Sequence, residues 1–387
     1  MNNEIKPDFH LPSRIYIKQG IINDIAKIIP QFGSRVVLVT TSRDLELFTS
    51  TIELIVRQLK DAGVGCIVYD EISVPPNTES IDTAVAYIKK TNCDCIIGFG
   101  GIDSMNAAKA LALLVNNYIF CHDLLLHPTS LEKPIKYVTI PGCPGFGFEI
   151  APLFFIDEIH DLTKRIYYNP DLYPEATIVD PLITHMSPTD RIIKSTIAAL
   201  AIASESIISK KENDIINTYA LKSIDIIFRN LPILYREPQN SIPRTFLSTA
   251  SVMVGIAFAV SFLSITLAVS LALASKTKLD IESSMCIILP HIMEFNLTSS
   301  SGKYVQMSRV MGEDVREITI IEAAIKAVEA IRKLEADIDI PQRLSNYDIS
   351  KSVFKEVAEL AMTYPFLANT VREVNTNEIE TILIAGY

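Results

Sequence analysis

Imidazole is the commonest side-chain metal ligand and proton-transfer group, and the imidazoles of this chain are unevenly placed. The histidines are His10, His122, His127, His160, His185 and His291. None lies between Ser187 and Pro290, a long stretch with helical patterning. A metal centre in that stretch would have to form without imidazole.

The cysteines offer a second set of metal ligands, but their spacing matches no zinc pattern. Cys93 and Cys95 flank Asp94, and Cys121 precedes His122. We interpret the six cysteines as reduced thiols that behave as small buried hydrophobes. The amino terminus also lacks the apolar segment of a signal peptide, so we expect a cytoplasmic protein.

Two regions of different pattern must position these side chains. In the first, β-branched runs alternate with helix-like segments, which predicts a parallel, doubly wound sheet. These runs are 36–40, 65–69, 95–98 and 137–140. In the second region the apolar residues have helical spacing over 192–209, 215–230, 245–274, 283–295, 318–335 and 350–361. We predict an α/β dinucleotide-binding-type domain at 1–185, an all-helical domain at 186–387, and a cleft between them.

Composition excludes several partners. The 387 residues are 49% hydrophobic and carry a net charge of −10, without a basic stripe for nucleic acid or an anionic membrane. The uncharged run 252–274 is long enough to span a bilayer. Hydroxyl residues interrupt it and no second run exists, so a buried core helix or helix pair is the preferred interpretation. We therefore expect no nucleic acid and no membrane as partners.

Several short runs, in order along nearly the whole chain, carry a family resemblance. They are PSRIYIKQG, VVLVTTSRD, VPPNTESIDTAVAYIKKTNCDCIIGFGGIDSMNAAKALA, IPGCPGFGFEIAP, PEATIVDP, LPHIMEFN and PFLANTVREVNTNEIETILIAGY. Together they resemble the iron-containing alcohol dehydrogenase family. The resemblance implies a dinucleotide-binding domain, a helical metal-binding domain and hydride transfer in the cleft, with NAD or NADP, an alcohol or aldehyde, and a homo-oligomer.

The resemblance also locates the family's metal ligands, which are an aspartate, a histidine four residues later, and two further histidines. Counting from Glu205 and from the run LPHIMEFN, these ligands and the nearby catalytic histidine fall on five aliphatic positions. The positions are Ala198, Ile202, Leu267, Ile281 and, for the catalytic histidine, Leu271. Nearby carboxylates at Glu205, Asp280 and Glu282 are interpreted as a helix cap or a solvated face. We expect no bound metal.

The family's glycine-rich phosphate turn, GGGS, corresponds here to Gly100, Gly101, Ile102 and Asp103. Backbone amides at such a turn bind a diphosphate at a helix N-terminus. We predict that Asp103 caps a helix starting at Ser104 and places a carboxylate where phosphate would lie. A like charge about 4 Å away would cost roughly 4 kcal/mol at an effective dielectric of about 20.

The family's second nucleotide loop corresponds to 142–148. Gly145 and Gly147 match, but hydroxyl donors are missing, and Phe146 and Phe148 are predicted to fill the pocket rather than stack on a ligand. At the adenine ribose, the family's frequent Asp is Thr41, with Arg43 close by. An Arg there can accommodate a 2′-phosphate, so NADP stays open beside NAD, as does an ordinary surface role.

These observations favour a diverged member of the family without metal-dependent hydride transfer, serving as a scaffold, binding protein or regulator. The alternative is an NAD(P)-dependent oxidoreductase that acts on an alcohol or aldehyde without metal, with His122, His127 or a tyrosine as proton donor. In either case a small molecule or dinucleotide is expected in the cleft.

Overall fold

A computed structural model describes residues 9–126 and 131–387. His127, one of the predicted proton donors, lies outside the described residues. The first region forms a six-stranded sheet in the order β1-β8-β5-β4-β2-β3, in which every neighbouring pair is parallel. These strands are β1 Arg14–Ile17, β2 Arg35–Thr41, β3 Gly65–Ile72, β4 Cys95–Gly100, β5 Lys136–Pro141 and β8 Ala176–Val179.

Helices cover both faces of this sheet. They are α1 Ile25–Ile28, α2 Ser42–Asp61, α3 Thr78–Lys89, α4 Ile102–Leu114 and α5 Cys121–Leu126. Along β2, Val36 and Leu38 pack in one apolar cluster while Val37 and Val39 pack in another, because successive side chains point to opposite faces. The predicted doubly wound sheet is confirmed.

An antiparallel hairpin, β6 Leu153–Glu158 and β7 Thr163–Tyr168, stands apart from the main sheet. It was not predicted, because its apolar first strand follows the phenylalanine-rich loop without a turn signal that would separate the two. Its first strand packs against α4, and its second strand contacts the helical region that follows. The hairpin therefore extends the wall of the first domain towards the second.

The second region is helical, as predicted. Its helices are α6 Thr189–Ser206, α7 Asp214–Arg236, α8 Ser241–Ser261, α9 Ile265–Lys276, α10 Ile281–Asn296, α11 Ser301–Val310, α12 Ile320–Asp337, α13 Phe354–Ala361 and α14 Thr376–Ala385. The predicted domain limit at 185/186 lies within the 3-10 helix Ile183–Met186. One large apolar cluster runs through these helices.

The segment 245–274, predicted as one helix or a pair, is a pair. Phe262 ends α8 in a left-handed conformation with φ of 41°, and Ser264 then caps α9 by accepting the Leu267 N–H. By length and composition α8 could cross a membrane, but 72% of its most apolar window is buried against the rest of the chain. Core helices of soluble proteins commonly have both properties.

Candidate functional site

The glycine turn lies where β4 meets α4, at the carboxyl ends of the parallel strands. Gly100 ends the strand with φ of +131°, and Gly101 is the N-cap residue of α4. The neighbouring strand β2 ends beside it and leads into α2. Free amides at a helix N-terminus attract an anion, and this crevice is where open α/β sheets bind ligands.

The chain supplies that anion itself, from Asp44 in the first turn of α2. The Asp44 carboxylate accepts the Gly101 N–H at 2.7 Å and the Ser104 hydroxyl at 2.8 Å. Its other oxygen lies 3.1 Å from Nη1 of Arg191, which reaches across from α6. Only 1% of Asp44 is exposed. A buried carboxylate thus takes the donors that a phosphate would use.

Both glycines lie against these side chains, and Gly100 also adopts a positive φ that favours glycine. A Cβ on Gly100 would lie 2.3 Å from Oδ2 of Asp44, and one on Gly101 would lie 1.7 Å from Nη2 of Arg191. The guanidinium therefore rests directly on the backbone of the turn. The glycines that let a diphosphate approach in related folds here admit an internal ion pair.

The structure corrects the prediction for Asp103. Gly101, not Asp103, is the N-cap residue, and α4 begins at Ile102 rather than at Ser104. Asp103 lies half-buried at the cleft wall, where burial raises its pKa. The anion at the turn is Asp44, which sequence reasoning missed. The available signal was the run Thr41-Ser-Arg-Asp44, a capping spacing in which a Thr is followed three residues later by an acid.

Thr41 and Arg43 flank Asp44 with different roles. Thr41 is buried and caps α2, accepting the Asp44 N–H at 3.1 Å, so its hydroxyl is engaged within the fold. Arg43 is exposed and lines the cleft. Of the two residues singled out for the adenine ribose, Arg43 is the one whose side chain reaches solvent in the cleft.

The second predicted nucleotide loop is packed against the helical domain. Phe146 and Phe148 are fully buried in the large apolar cluster, so neither ring is open to a ligand. Gly147, with φ of +91°, contacts Gly255 of α8 so closely that a Cβ would lie 2.5 Å from the Gly255 backbone. Gly145 packs near the Glu149 carboxylate. This loop serves as a domain contact.

A cleft lies between the domains, next to the glycine turn. Two adjoining cavities of about 680 Å³ and 340 Å³ share Arg43, Arg191, Asp280 and Glu282 as lining residues. Lys164 and Asp157 of the hairpin, 2.5 Å apart, line the smaller cavity. Burial raises the pKa of Glu282 to about 7. No histidine among the described residues lines these two cavities.

The five aliphatic positions in the helical domain lie in its core. Ala198 and Ile202 of α6, Leu267 and Leu271 of α9, and Ile281 of α10 are all buried members of the large apolar cluster. The three helices that carry them pack against one another. Their side chains fill the space between the helices with hydrocarbon.

Two of the neighbouring carboxylates, Glu205 and Asp280, act as helix caps, whereas Glu282 lies half-buried in the cleft rather than on a solvated face. Glu205 is buried and accepts the Ser264 hydroxyl at 2.7 Å and the Ile265 N–H at 2.8 Å, which satisfies the N-terminus of α9. Asp280 caps α10 by accepting the Ser283 N–H at 2.7 Å. Both carboxylates are thereby engaged in backbone hydrogen bonds, as expected for the cap interpretation.

Comparison with known proteins agrees with this architecture. The family profile "Iron-containing alcohol dehydrogenase" matches residues 12–181, and the profile "Fe-containing alcohol dehydrogenase family, C-terminal" matches residues 192–387. The chain belongs to the iron-containing alcohol dehydrogenase family.

Similar members of this family align over almost their whole length. An NAD-dependent methanol dehydrogenase of Bacillus methanolicus is 22% identical over 97% of this chain and 98% of its own. A 1,3-propanediol dehydrogenase of Klebsiella pneumoniae is 23% identical over 98% of both. The crystal structure of a 1,3-propanediol oxidoreductase superimposes with a TM-score of 0.94 at 22% identity, covering 99% of this chain and 100% of that one.

The family's iron does not fit the residues at the corresponding positions of this chain. A divalent transition metal needs imidazole, carboxylate or thiolate donors. Alanine, isoleucine and leucine have no donor atom, and the nearby carboxylates of Glu205 and Asp280 already cap helices. No step of a reaction can be routed through iron held by these five side chains.

Proposed function

We propose that this family member has lost metal-dependent hydride transfer and acts by binding a small molecule or a dinucleotide in the interdomain cleft. The observation that carries the proposal is the buried aliphatic set at the five positions of the family's metal ligands and catalytic histidine. Without a Lewis acid there, nothing at those positions would polarise an alcohol oxygen for hydride loss. Binding alone is the function that the remaining cleft supports best.

A nicotinamide dinucleotide is the first ligand to test. Relatives such as the NAD-dependent methanol dehydrogenase support it, and so do the glycine turn and the free surface of Arg43. For the diphosphate to reach the turn, Asp44 has to leave the Gly101 N–H. Arg191, already placed on the turn, would then pair with the diphosphate instead of with Asp44.

The second candidate is a metal-independent, NAD(P)-dependent oxidoreductase that acts on an alcohol or aldehyde. The observation in its favour is Glu282, a cleft carboxyl whose pKa burial raises to about 7. A group with that pKa can donate or accept a proton near neutral pH. It is a better-placed proton donor than His122, which is hydrogen-bonded to Glu158 away from the cavities.

One set of titrations separates these candidates. Thermal unfolding is followed with NAD, NADH, NADP and NADPH, and turnover of alcohols and aldehydes is measured with each, with chelator and with added Fe²⁺ or Zn²⁺. The proposal expects no turnover under any condition, with or without a dinucleotide-dependent rise in Tm. Turnover that persists in chelator supports the second candidate. Turnover that requires added Fe²⁺ would overturn both.

The proposal includes a cytoplasmic location and assembly into a homo-oligomer. A cytoplasmic protein is supported by six cysteines that are all free thiols. A homo-oligomer is supported by exposed isoleucines near the start of α12, at Ile318, Ile320, Ile321 and Ile325. The net charge of −10 and the burial of α8 argue against nucleic acid and membrane partners. Light scattering on the purified chain tests the oligomer.

A further inference from the structure

A cluster of two histidines and a buried glutamate lies in the α/β domain, away from the helical core. His122 is on the short helix α5, Glu158 ends β6, and His160 is in the turn of the β6–β7 hairpin. Nδ1 of His122 lies 2.6 Å from Oε2 of Glu158, and Nε2 of His160 lies 4.0 Å from Oε1. One potential ligand atom from each residue lies within 4.8 Å of the others.

From this juxtaposition we propose that His122, Glu158 and His160 bind a zinc ion. Two imidazole nitrogens and one carboxylate oxygen form a donor set that Zn²⁺ accepts, with water in the fourth position. The expectation of no bound metal was drawn from the helical domain but applied to the whole chain, and a zinc ion at this cluster, in the other domain, would depart from it.

The geometry needs only side-chain adjustment. Ligand atoms of a tetrahedral zinc site lie about 3.3 Å apart when each is about 2.0 Å from the metal. Here His122 lies 2.6 Å from one Glu158 oxygen and His160 lies 4.0 Å from the other, and the three ligand atoms lie within 4.8 Å of one another. The His160 side chain is 70% exposed, so its rotation towards Glu158 displaces no packed group.

The backbone around the cluster is already fixed. The Glu158 carboxylate accepts the His160 N–H at 3.1 Å, and the turn continues with Asp161 accepting the Thr163 N–H at 3.1 Å. Two of the three ligands therefore stand on a hydrogen-bonded hairpin end. A preorganised site loses less conformational entropy when the metal binds.

Local charge also favours a cation. Glu158 is 1% exposed, and its position between two histidines leaves a buried carboxylate that a metal would neutralise. Asp82 lies close by and holds α5 through the Cys121 N–H at 2.8 Å. Zinc would thus join α5 to the hairpin whose neighbouring residue, Asp157, lines the cleft. The site would brace one wall of the proposed binding cleft.

The sequence did not reveal this cluster because its members come from separate elements. His122 follows Cys121, which is buried, and the spacing of the cysteines matches no zinc pattern. Sequence motifs report ligands that are close along the chain. The contact between α5 and the hairpin is tertiary.

The test is a zinc titration of the chain expressed without a histidine tag and stripped with a chelator. Calorimetry and metal analysis should give about one zinc per chain, and zinc should raise Tm by mass action. His122→Ala and His160→Ala should each lower the affinity by about 100-fold, since even outer-shell changes cost about 10- to 100-fold. His10→Ala is the matched control and should bind zinc as the unaltered chain does.

Two outcomes would overturn the zinc site, and a third would also overturn the proposed loss of metal-dependent chemistry. No zinc binding by the unaltered chain overturns the site, with the His122–Glu158 contact then a simple hydrogen bond. Zinc that binds equally to His160→Ala and the unaltered chain also overturns it. If the ion persists in the double variant of His122 and His160 and supports alcohol turnover, the proposed loss of metal-dependent chemistry fails as well. Circular dichroism and Tm of the exposed His160→Ala variant confirm that it is folded.

Discussion

The metal positions and the glycine turn have diverged in different ways. In the helical core, the positions where the resemblance places the family's ligands hold aliphatic side chains that pack against each other. At the turn, the glycines remain, and the Asp44 carboxylate accepts the Gly101 N–H. A metal site consists of side chains and disappears when they are replaced. A phosphate site consists of backbone N–H groups, which persist and cost free energy if left buried and unbonded.

The first prediction returns a ligand-type side chain to the apolar core. Ala198→Asp places a carboxylate at a fully buried site among hydrocarbon, so we expect a loss of on the order of 3–5 kcal/mol in the free energy of unfolding. Urea and thermal unfolding measure it. Ala86→Asp, on the exposed face of α3, is the control and should change stability little. Equal stability of the two variants would show that the core admits water or an ion.

The second prediction removes the internal anion. Asp44→Ala leaves the Gly101 N–H and the Arg191 guanidinium without their acceptor, and we expect a loss of about 2–3 kcal/mol. Pyrophosphate should then stabilise the variant more than it stabilises the unaltered chain, because the vacated turn binds anions. Glu46→Ala, exposed on the same helix, is the matched control. If pyrophosphate raises the Tm of Asp44→Ala no more than that of the unaltered chain, Asp44 does not occupy a phosphate site at the turn.

The third prediction removes a single hydrogen bond from the Asp44 carboxylate. Ser104→Ala removes one of the hydrogen bonds to the Asp44 carboxylate and leaves the Gly101 N–H and Arg191 in place. We expect a loss of about 1.5 kcal/mol, the size of one hydrogen bond to a charged group. Thermal unfolding beside Ser42→Ala, an exposed serine in α2, provides the measurement. A loss as large as that of Asp44→Ala would contradict the idea that the carboxylate organises the turn.

The smallest expected effect depends on pH. Burial, and then the neighbouring Asp280, raise the pKa of Glu282 to about 7. The folded chain therefore binds this proton more tightly than the unfolded one, so this contribution is complete below about pH 4.5 and is lost as pH rises through 7. Glu282→Gln should raise Tm relative to the unaltered chain at pH 8 by roughly a degree, and by less at pH 5. Glu46→Gln is the control, and a gain independent of pH would reject the assignment.

Regular elements were predicted well where the periodicity was long. The four predicted strands all occur in the parallel sheet, because β-branched runs bounded by polar segments have few other solutions. The break between α8 and α9 was left open, since both sides of Phe262 are equally apolar. Strands β1 and β8 and the hairpin β6–β7 were not predicted. The hairpin strands pair with each other and pack against α3, α4, α5 and α9, and these tertiary contacts are not encoded in the sequence pattern.

The candidate site also has features that the sequence predicts and features that only the structure shows. The absence of histidine between Ser187 and Pro290 was readable directly, because a missing side chain cannot be supplied by folding. The wrong cap at Asp103 and the missed role of Asp44 share one cause. The Gly101 N–H at the start of α4 is bonded by the distant Asp44 and not by the nearby Asp103. Only the folded structure shows which carboxylate lies within hydrogen-bond distance of that amide.

The sequence by itself determined the family, four strands of the parallel sheet, the helical second region, and the absence of histidine between Ser187 and Pro290. These follow from residue types and periodicity, which are local properties. Only the tertiary structure decided that Asp44 and Arg191 meet on the glycine turn and that His122, Glu158 and His160 come together. Hydrogen bonds and ion pairs act over about 3 Å, so which side chains form them depends on how distant segments pack.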